Sequence, residues 1–218
     1  MSTRTYGQYC GLAAAMDLVG QRWAMLIIRD LAPGPRRFTD LFAGLPGIAT
    51  DMLADRLRAL EAAGVIHQHA IKHPVPAKVY ELTDSGRELS RLATELAGWG
   101  QRLLPAPGST DAMVQPRWAL QSMAARYHGG ATPGVYHLVI DEQELSVEVA
   151  ETAQVHYGLL PSPIASLRCT ARQFFALVRQ PARVHSTPKS VEIDHADQWA
   201  VLLSAMPLVV AGTALTGA

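Results

Sequence analysis

The stretch TDMLADRLRALEAAGVIHQHAIKHPVPAKVYELTDSG, residues 50–86, packs a helix, a stop and a hairpin into thirty-seven positions. Thr50 is a good N-cap for a helix over residues 51–63, and Gly64 ends it. At about 100° per residue, Leu53, Leu57 and Leu60 cluster on one side of that helix. Asp51, Ala54, Asp55, Arg58 and Ala62 fall opposite. Residues 65–71 and 78–82 read as two strands joined by the proline-bearing loop 72–77. Thr83 is placed to cap a further helix, from about residue 84 to residue 104.

Working toward the N-terminus, residues 10–31 carry Leu12, Ala15, Leu18, Val19, Trp23, Leu26 and Ile27 at helical spacing. Gly20 interrupts this helix and Pro33-Gly34-Pro35 ends it. Thr39 is expected to cap a short helix through Ala43, and Leu45-Pro46-Gly47 makes a turn. Helix, helix, turn, helix, hairpin, helix is the order of a winged helix-turn-helix domain. In that order the leucines dock the 51–63 helix, and its polar face is free to enter a major groove about 12 Å wide. Arg58 can donate two hydrogen bonds to guanine, Asp51 or Asp55 can accept from cytosine N4, and Thr50 can reach a phosphate or base. Two carboxylates on that face repel phosphate, so they fit only over base edges. Lys72, His73 and Lys78 would lie along phosphates as a wing, with Arg36 and Arg37 clamping backbone beside Thr39. Double-stranded DNA is the expected partner.

The composition suits a folded protein: 49% of the 218 residues are hydrophobic and 17% charged. No apolar run reaches the eighteen or so residues of a membrane span, and the start lacks a secretory layout. No membrane association and a cytoplasmic location are therefore expected. Cys10 and Cys169 form no CxxC pair, which argues against a disulfide scaffold or thiolate zinc site. The formal charge is zero, with a slight asymmetry. Residues 1–105 hold twelve Lys and Arg against ten Asp and Glu, and residues 106–218 hold seven against nine.

The segment 104–110, LPAPGST, cannot extend a helix and divides a domain over 1–105 from one over 111–218. The second half has a different grammar. Residues 118–127 suggest a helix. Alternation then marks strands through Tyr136, Leu138 and Ile140, through Leu145, Val147 and Val149, through Val155 and Tyr157, and through Leu167 and Cys169. Residues 141–144 read as a hairpin turn, 171–178 as a helix, 190–193 as a strand and 196–206 as a closing helix. The expectation is an α+β chain: a winged helix-turn-helix domain followed by a small antiparallel sheet with helices on one side.

The blocks AMDLVGQRW (15–23), LIIRDL (26–31), GPRRF (34–38), LPGI (45–48), LADRLRALEAAG (53–64), VYELT (79–83) and GREL (86–89) fall in one order over about ninety residues. In that order and spacing the stretch 10–100 resembles the HxlR family of winged helix-turn-helix regulators. The resemblance implies a homodimer, built by helices about 11–31 and 84–104, that reads a palindromic operator and acts as a repressor. Trp23 and Trp99 become candidates for core or dimer interface. Several members of the family sense oxidants through a cysteine near the N-terminus, a neighbourhood that Cys10 occupies; such chemistry needs a thiolate, and Arg4 is a candidate neighbour.

Residues 111–218 resemble, in pattern more than motif, the sterol-carrier-like domains that follow some of these regulators. That fold implies an apolar cavity and a hydrophobic small-molecule effector, with Trp118, Tyr136, Phe174, Phe175 and Trp199 as candidate lining. Two alternatives stand beside the DNA-binding reading: a lipid-binding protein that uses the winged helix only to dimerise, and a redox switch acting through Cys10.

His67, His69 and His73 invite a metal reading, since the first two share a strand face. No carboxylate or cysteine accompanies them in the segment, and no metal or other cofactor is expected. There is no GxSxG elbow, Walker loop or GxGxxG after a strand, so catalysis is not expected.

Overall fold

A computed structural model of the chain describes residues 5–71, 76–100, 103 and 115–207. It divides into two compact units, Met1–Leu96 and Ala97–Ala218.

In the first unit the expected N-terminal helix is two helices, α1 (Gly11–Val19) and α2 (Ala24–Leu31), bent by 81°. Gly20 closes α1, and Trp23 starts α2 from a left-handed conformation at φ 79° that bulky residues rarely adopt. Arg36–Arg37 forms a short strand, β1, and α3 covers Phe38–Gly44. The cap of α3 is therefore Arg37 and not Thr39, which lies inside the helix. The Arg37 amide donates to the Asp40 carboxylate at 3.2 Å, a reciprocal contact between the ends of the first turn.

Helix α4 runs Thr50–Ala62, capped by the extended Ala49, so Thr50 is its first helical residue and not its cap. Its end is a Schellman turn. Gly64, at φ 70°, donates its amide to Glu61 at 2.9 Å, and the Val65 amide reaches Leu60 at 2.9 Å. Strands β2 (Ile66–Ile71) and β3 (Ala77–Leu82) pair antiparallel, His67 opposite Glu81 and His69 opposite Val79, and β1 adds to the far edge of β3. Helix α5 spans Asp84–Gly100. As expected, the Thr83 hydroxyl caps it, accepting from the Gly86 amide at 3.1 Å. The same hydroxyl lies 2.6 Å from the Gly64 carbonyl oxygen, to which it donates, so one side chain ties the end of α4 to the start of α5. The core of this unit gathers Ile27, Ile28, Leu31, Leu41, Leu45, Leu53, Leu57, Leu60, Ile66 and Leu82.

The second unit opens with α6 (Pro116–Ala124), whose first-turn proline suits a position with no helical amide partner. Strands β4 (Gly134–Ile140), β5 (Gln143–Val149) and β6 (Ala153–Tyr157) form an antiparallel meander. The first turn is tighter than expected: only Asp141 and Glu142 loop out, at φ 45° and 69°, and Gln143 and Glu144 belong to β5. Strand β7 (Pro163–Cys169) does not continue the meander. It lies on the other side of β4 and runs parallel to it, giving the order β6-β5-β4-β7-β8, with β8 only Glu192–Ile193. The sheet is thus mixed and not antiparallel.

A link over residues 158–162 makes that crossing on the polar face of the sheet. It is tied down by the buried Ser146, whose hydroxyl donates to the Gly158 carbonyl at 2.9 Å and accepts from the Leu160 amide at 3.0 Å. The His137 ring meets the Leu160 carbonyl at 2.6 Å. Helices α7 (Ala171–Arg179) and α8 (Ala196–Ala205), with α6, share one core with the apolar face of the sheet. Among the described residues no single helix is long and apolar enough to cross a membrane.

Candidate nucleic-acid interface

Helix α4 is held by Leu53, Leu57 and Leu60, none more than 1% exposed. At about 1.5–3 kcal/mol for each buried leucine, they fix the rotation of the helix about its axis. That rotation turns Thr50, Asp51, Arg58 and Ala62 outward, with Ala54 and Asp55 half-buried at the margin. A second restraint comes from Glu61, which accepts the Gln68 amide at 3.1 Å and so ties the end of α4 to the hairpin.

The charges on this face are paired more than the sequence shows. Arg58 forms an ion pair with Asp55 one turn back, and this neutralises one of the two carboxylates that would repel phosphate. An exposed pair of this kind contributes about 0.2–1 kcal/mol, less than a bidentate contact to guanine, so Arg58 can exchange one for the other at small cost. Asp51 sits in the first turn of α4, where the helix dipole favours a negative charge.

The other nominated residues are spread around the unit. Lys78 is exposed on β3, while Lys72 and His73 lie outside the described residues. Arg36 and Arg37 are half-buried in β1, opposite Tyr80 and Val79. Arg36 donates to the Asp40 carbonyl at 3.0 Å, so it serves the start of α3 as well as any outside partner. Thr39 is exposed.

Cys10 is exposed at the N-terminus of α1, where the Ala13 amide first and then the Leu12 amide hold its thiol below the usual range. Arg4 lies outside the described residues. Cys169 is the opposite case: burial first, and then Asp141, push it up to about 12. In the second unit Tyr136, Phe174 and Trp199 are fully buried, with Phe175 packed beside them. Tyr136 and Trp199 meet edge to face at 5.4 Å, and Phe174 and Phe175 at 5.5 Å. Trp118 lies under the Arg117 guanidinium, 5.4 Å from its ring centre. An open groove of about 350 Å³ lies elsewhere, lined by His128, Gly129, Ala200, Val201, Ser204 and Ala205.

One cluster was missed from the sequence. Glu81, across the ladder from His67, stands 3.8 Å from the Nε2 of His67 and 3.6 Å from that of His69. Glu81 lies beyond the loop that ends the segment holding the histidines, on the paired strand. The observed strands, six residues each, set residue 67 against residue 81, one position from the register that the sequence-read bounds 65–71 and 78–82 give.

The HxlR-like helix-turn-helix family model matches residues 18–107. The chain is 34% identical over 85 residues to the HTH-type transcriptional regulator YvaP of Bacillus subtilis, a match that covers 39% of this chain and 79% of that protein. With the HTH-type transcriptional regulator YodB of the same species it shares 32% over 99 residues, 45% of this chain and 88% of YodB. The solved reduced form of YodB aligns at 31% identity over 47% of this chain and 100% of that one, with a TM-score of 0.39. With these residues, in this order and at this identity over most of each relative's length, the chain belongs to the HxlR-like helix-turn-helix family of transcriptional regulators.

Proposed function

We propose that the chain is a homodimeric repressor that reads a palindromic operator with α4 of each copy, the β2–β3 wing lying along the flanking phosphates. The observation that carries this reading is the fixed rotation of α4, which aims Thr50, Asp51 and Arg58 outward while three leucines hold the opposite side. Two exposed apolar stripes support the dimer. On α5, Leu92, Leu96 and Trp99 follow one another at helical spacing, and Tyr9, Leu12 and Met16 do so around α1. A dimer that covers an operator represses by occupancy and needs no further partner. In this reading the second unit tunes DNA binding by holding an apolar effector. Because its aromatic rings fill the interior themselves, such a ligand has to displace them, and it shifts DNA affinity only by binding the two arrangements unequally.

The test is fluorescence anisotropy on the protein's own upstream intergenic duplex and on a scrambled one, across a salt series. Arg58→Ala is expected to weaken the specific duplex by about 1–3 kcal/mol and barely change the scrambled one. Lys78→Ala should weaken both alike and reduce the salt slope by about 1. A parent protein with the same steep salt dependence on both duplexes would reduce the reading to phosphate attraction and favour the carrier alternative.

Cys10 supports a second reading, a redox switch layered on the first. Two amides stabilise its thiolate at an exposed helix start, the setting in which a thiol becomes nucleophilic. Attack on hydrogen peroxide would leave a sulfenic acid on Sγ and release hydroxide. Peroxide is then expected to weaken operator binding by about tenfold in the parent and not at all in Cys10→Ser. Equal sensitivity in both proteins would remove Cys10 from the mechanism.

A further inference from the structure

The geometry points to a divalent metal site on the wing, formed by His67 and His69 of β2 and Glu81 of β3, for an ion of the zinc class. The proposal rests on the strand pairing alone and stands whether or not the hairpin touches DNA.

Three features bring the ligands together. His67 and His69 are two apart on one strand and therefore project from the same face, their rings stacked with centres 5.1 Å apart. The antiparallel register places Glu81 directly opposite His67 and on that same face. The three donor atoms all lie within 4.8 Å of one another, and this is the one cluster of its kind among the described residues. Ligands about 2.1 Å from a tetrahedral ion stand about 3.4 Å apart. The two Nε2-to-carboxylate separations, 3.8 and 3.6 Å, are within a few tenths of that.

The surroundings leave the ligand atoms available. His69 Nδ1 is buried with no hydrogen-bond partner among the described residues, so Nε2 is the outward donor of that ring. Arg87 is the competing cation. Its guanidinium is engaged by the Leu82 carbonyl at 2.8 Å and by Asp84 at 3.0 Å, and it approaches only the far oxygen of Glu81, at 4.0 Å. The oxygen nearer the histidines remains. Side chains 48%, 35% and 32% exposed leave room for water as a fourth ligand. Two imidazoles and one carboxylate suit zinc or its transition-metal neighbours better than calcium or magnesium, which take oxygen. A bound ion would clip β2 to β3 at the base of the wing, and it would put positive charge where a carboxylate now stands.

Metal-stripped full-length protein titrated with Zn²⁺ against a chromophoric chelator tests the assignment, with Co²⁺ absorption reporting the coordination geometry. One Zn²⁺ per chain and an intense tetrahedral Co²⁺ band are expected. The His67→Ala/His69→Ala pair should lose both, and Glu81→Gln should bind at least tenfold more weakly. All three positions are at the surface, and circular dichroism verifies that the variants fold. His185→Ala, in the second unit, should bind like the parent. A parent that takes up no ion, or a double variant that binds as the parent does, overturns the site.

Discussion

Replacing Trp199 with alanine is expected to destabilise the second unit by about 3–5 kcal/mol. No other described side chain in that unit is as large and as fully enclosed. The indole is 0% exposed, it meets the Tyr136 ring in an edge-to-face arrangement, and its Nε1–H donates to the Ser166 carbonyl at 3.2 Å. Alanine removes the ring and leaves a hole between α8 and the apolar face of the sheet. The Ser166 carbonyl keeps a second donor, the Asp194 amide at 3.1 Å, so the loss comes from packing and not from a stranded oxygen. Trp199→Phe should therefore lose much less, about 1–1.5 kcal/mol for the hydrogen bond and the smaller ring. Urea unfolding followed by circular dichroism measures both values. A loss under about 1 kcal/mol for Trp199→Ala would mean that the interior already has slack around the indole, the condition an apolar effector needs.

In the first unit, Gly86→Ala is expected to destabilise by about 3 kcal/mol, against the usual sign for that substitution. An alanine within a helix normally gains about 0.5–1 kcal/mol over glycine. Here the added Cβ would stand 2.1 Å from the Val65 carbonyl oxygen and 3.2 Å from two atoms of Leu82. The obstructing atom is backbone and cannot rotate away. That same carbonyl accepts from the Thr83 amide at 3.0 Å, so yielding would also disturb the residue that caps α5. Overpacking against a fixed wall typically costs about 1–3 kcal/mol, and the closeness of this approach places the cost at the top of that range. Gly100, whose Cβ would meet nothing within 4 Å among the described residues, is the control: Gly100→Ala should be neutral or slightly stabilising in the same thermal melt. If Gly86→Ala melted with the parent, α5 would not be seated on the strand as described.

How much of this was legible in the sequence depended on how local the cause was. The leucine spacing of α4 and the glycine after it are set within one helix, and both were readable in residues 50–64. The alternation in β4, β5 and β7 likewise marked which side chains turn inward. Caps were less legible. Thr39 and Thr50 are good cap residues by type, but the chain turns one or two positions earlier, at Arg37 and Ala49. That choice is made by tertiary contacts: β1 pairing with β3 pulls Arg36 and Arg37 into extended form. The parallel placement of β7 was not legible at all, because alternation reports a face and never a neighbour. The polar face of α4 was readable, but the Arg58–Asp55 pair that moderates its charge was not, although a spacing of three on one helix allows it. Glu81 escaped for the opposite reason, since it is distant in sequence and adjacent in space.

The crossing at residues 158–162 also sets an order of assembly. During synthesis the meander β4–β5–β6 can close once Tyr157 has emerged from the ribosome, since each strand finds its partner through a short turn. At that moment β4 is still an outer strand with one row of amides and carbonyls unmatched. It becomes interior only after Pro163–Cys169 have been added and laid beside it. A ribosome stalled between those two stretches would present a sticky border of sheet, open to the same border on a neighbouring nascent chain.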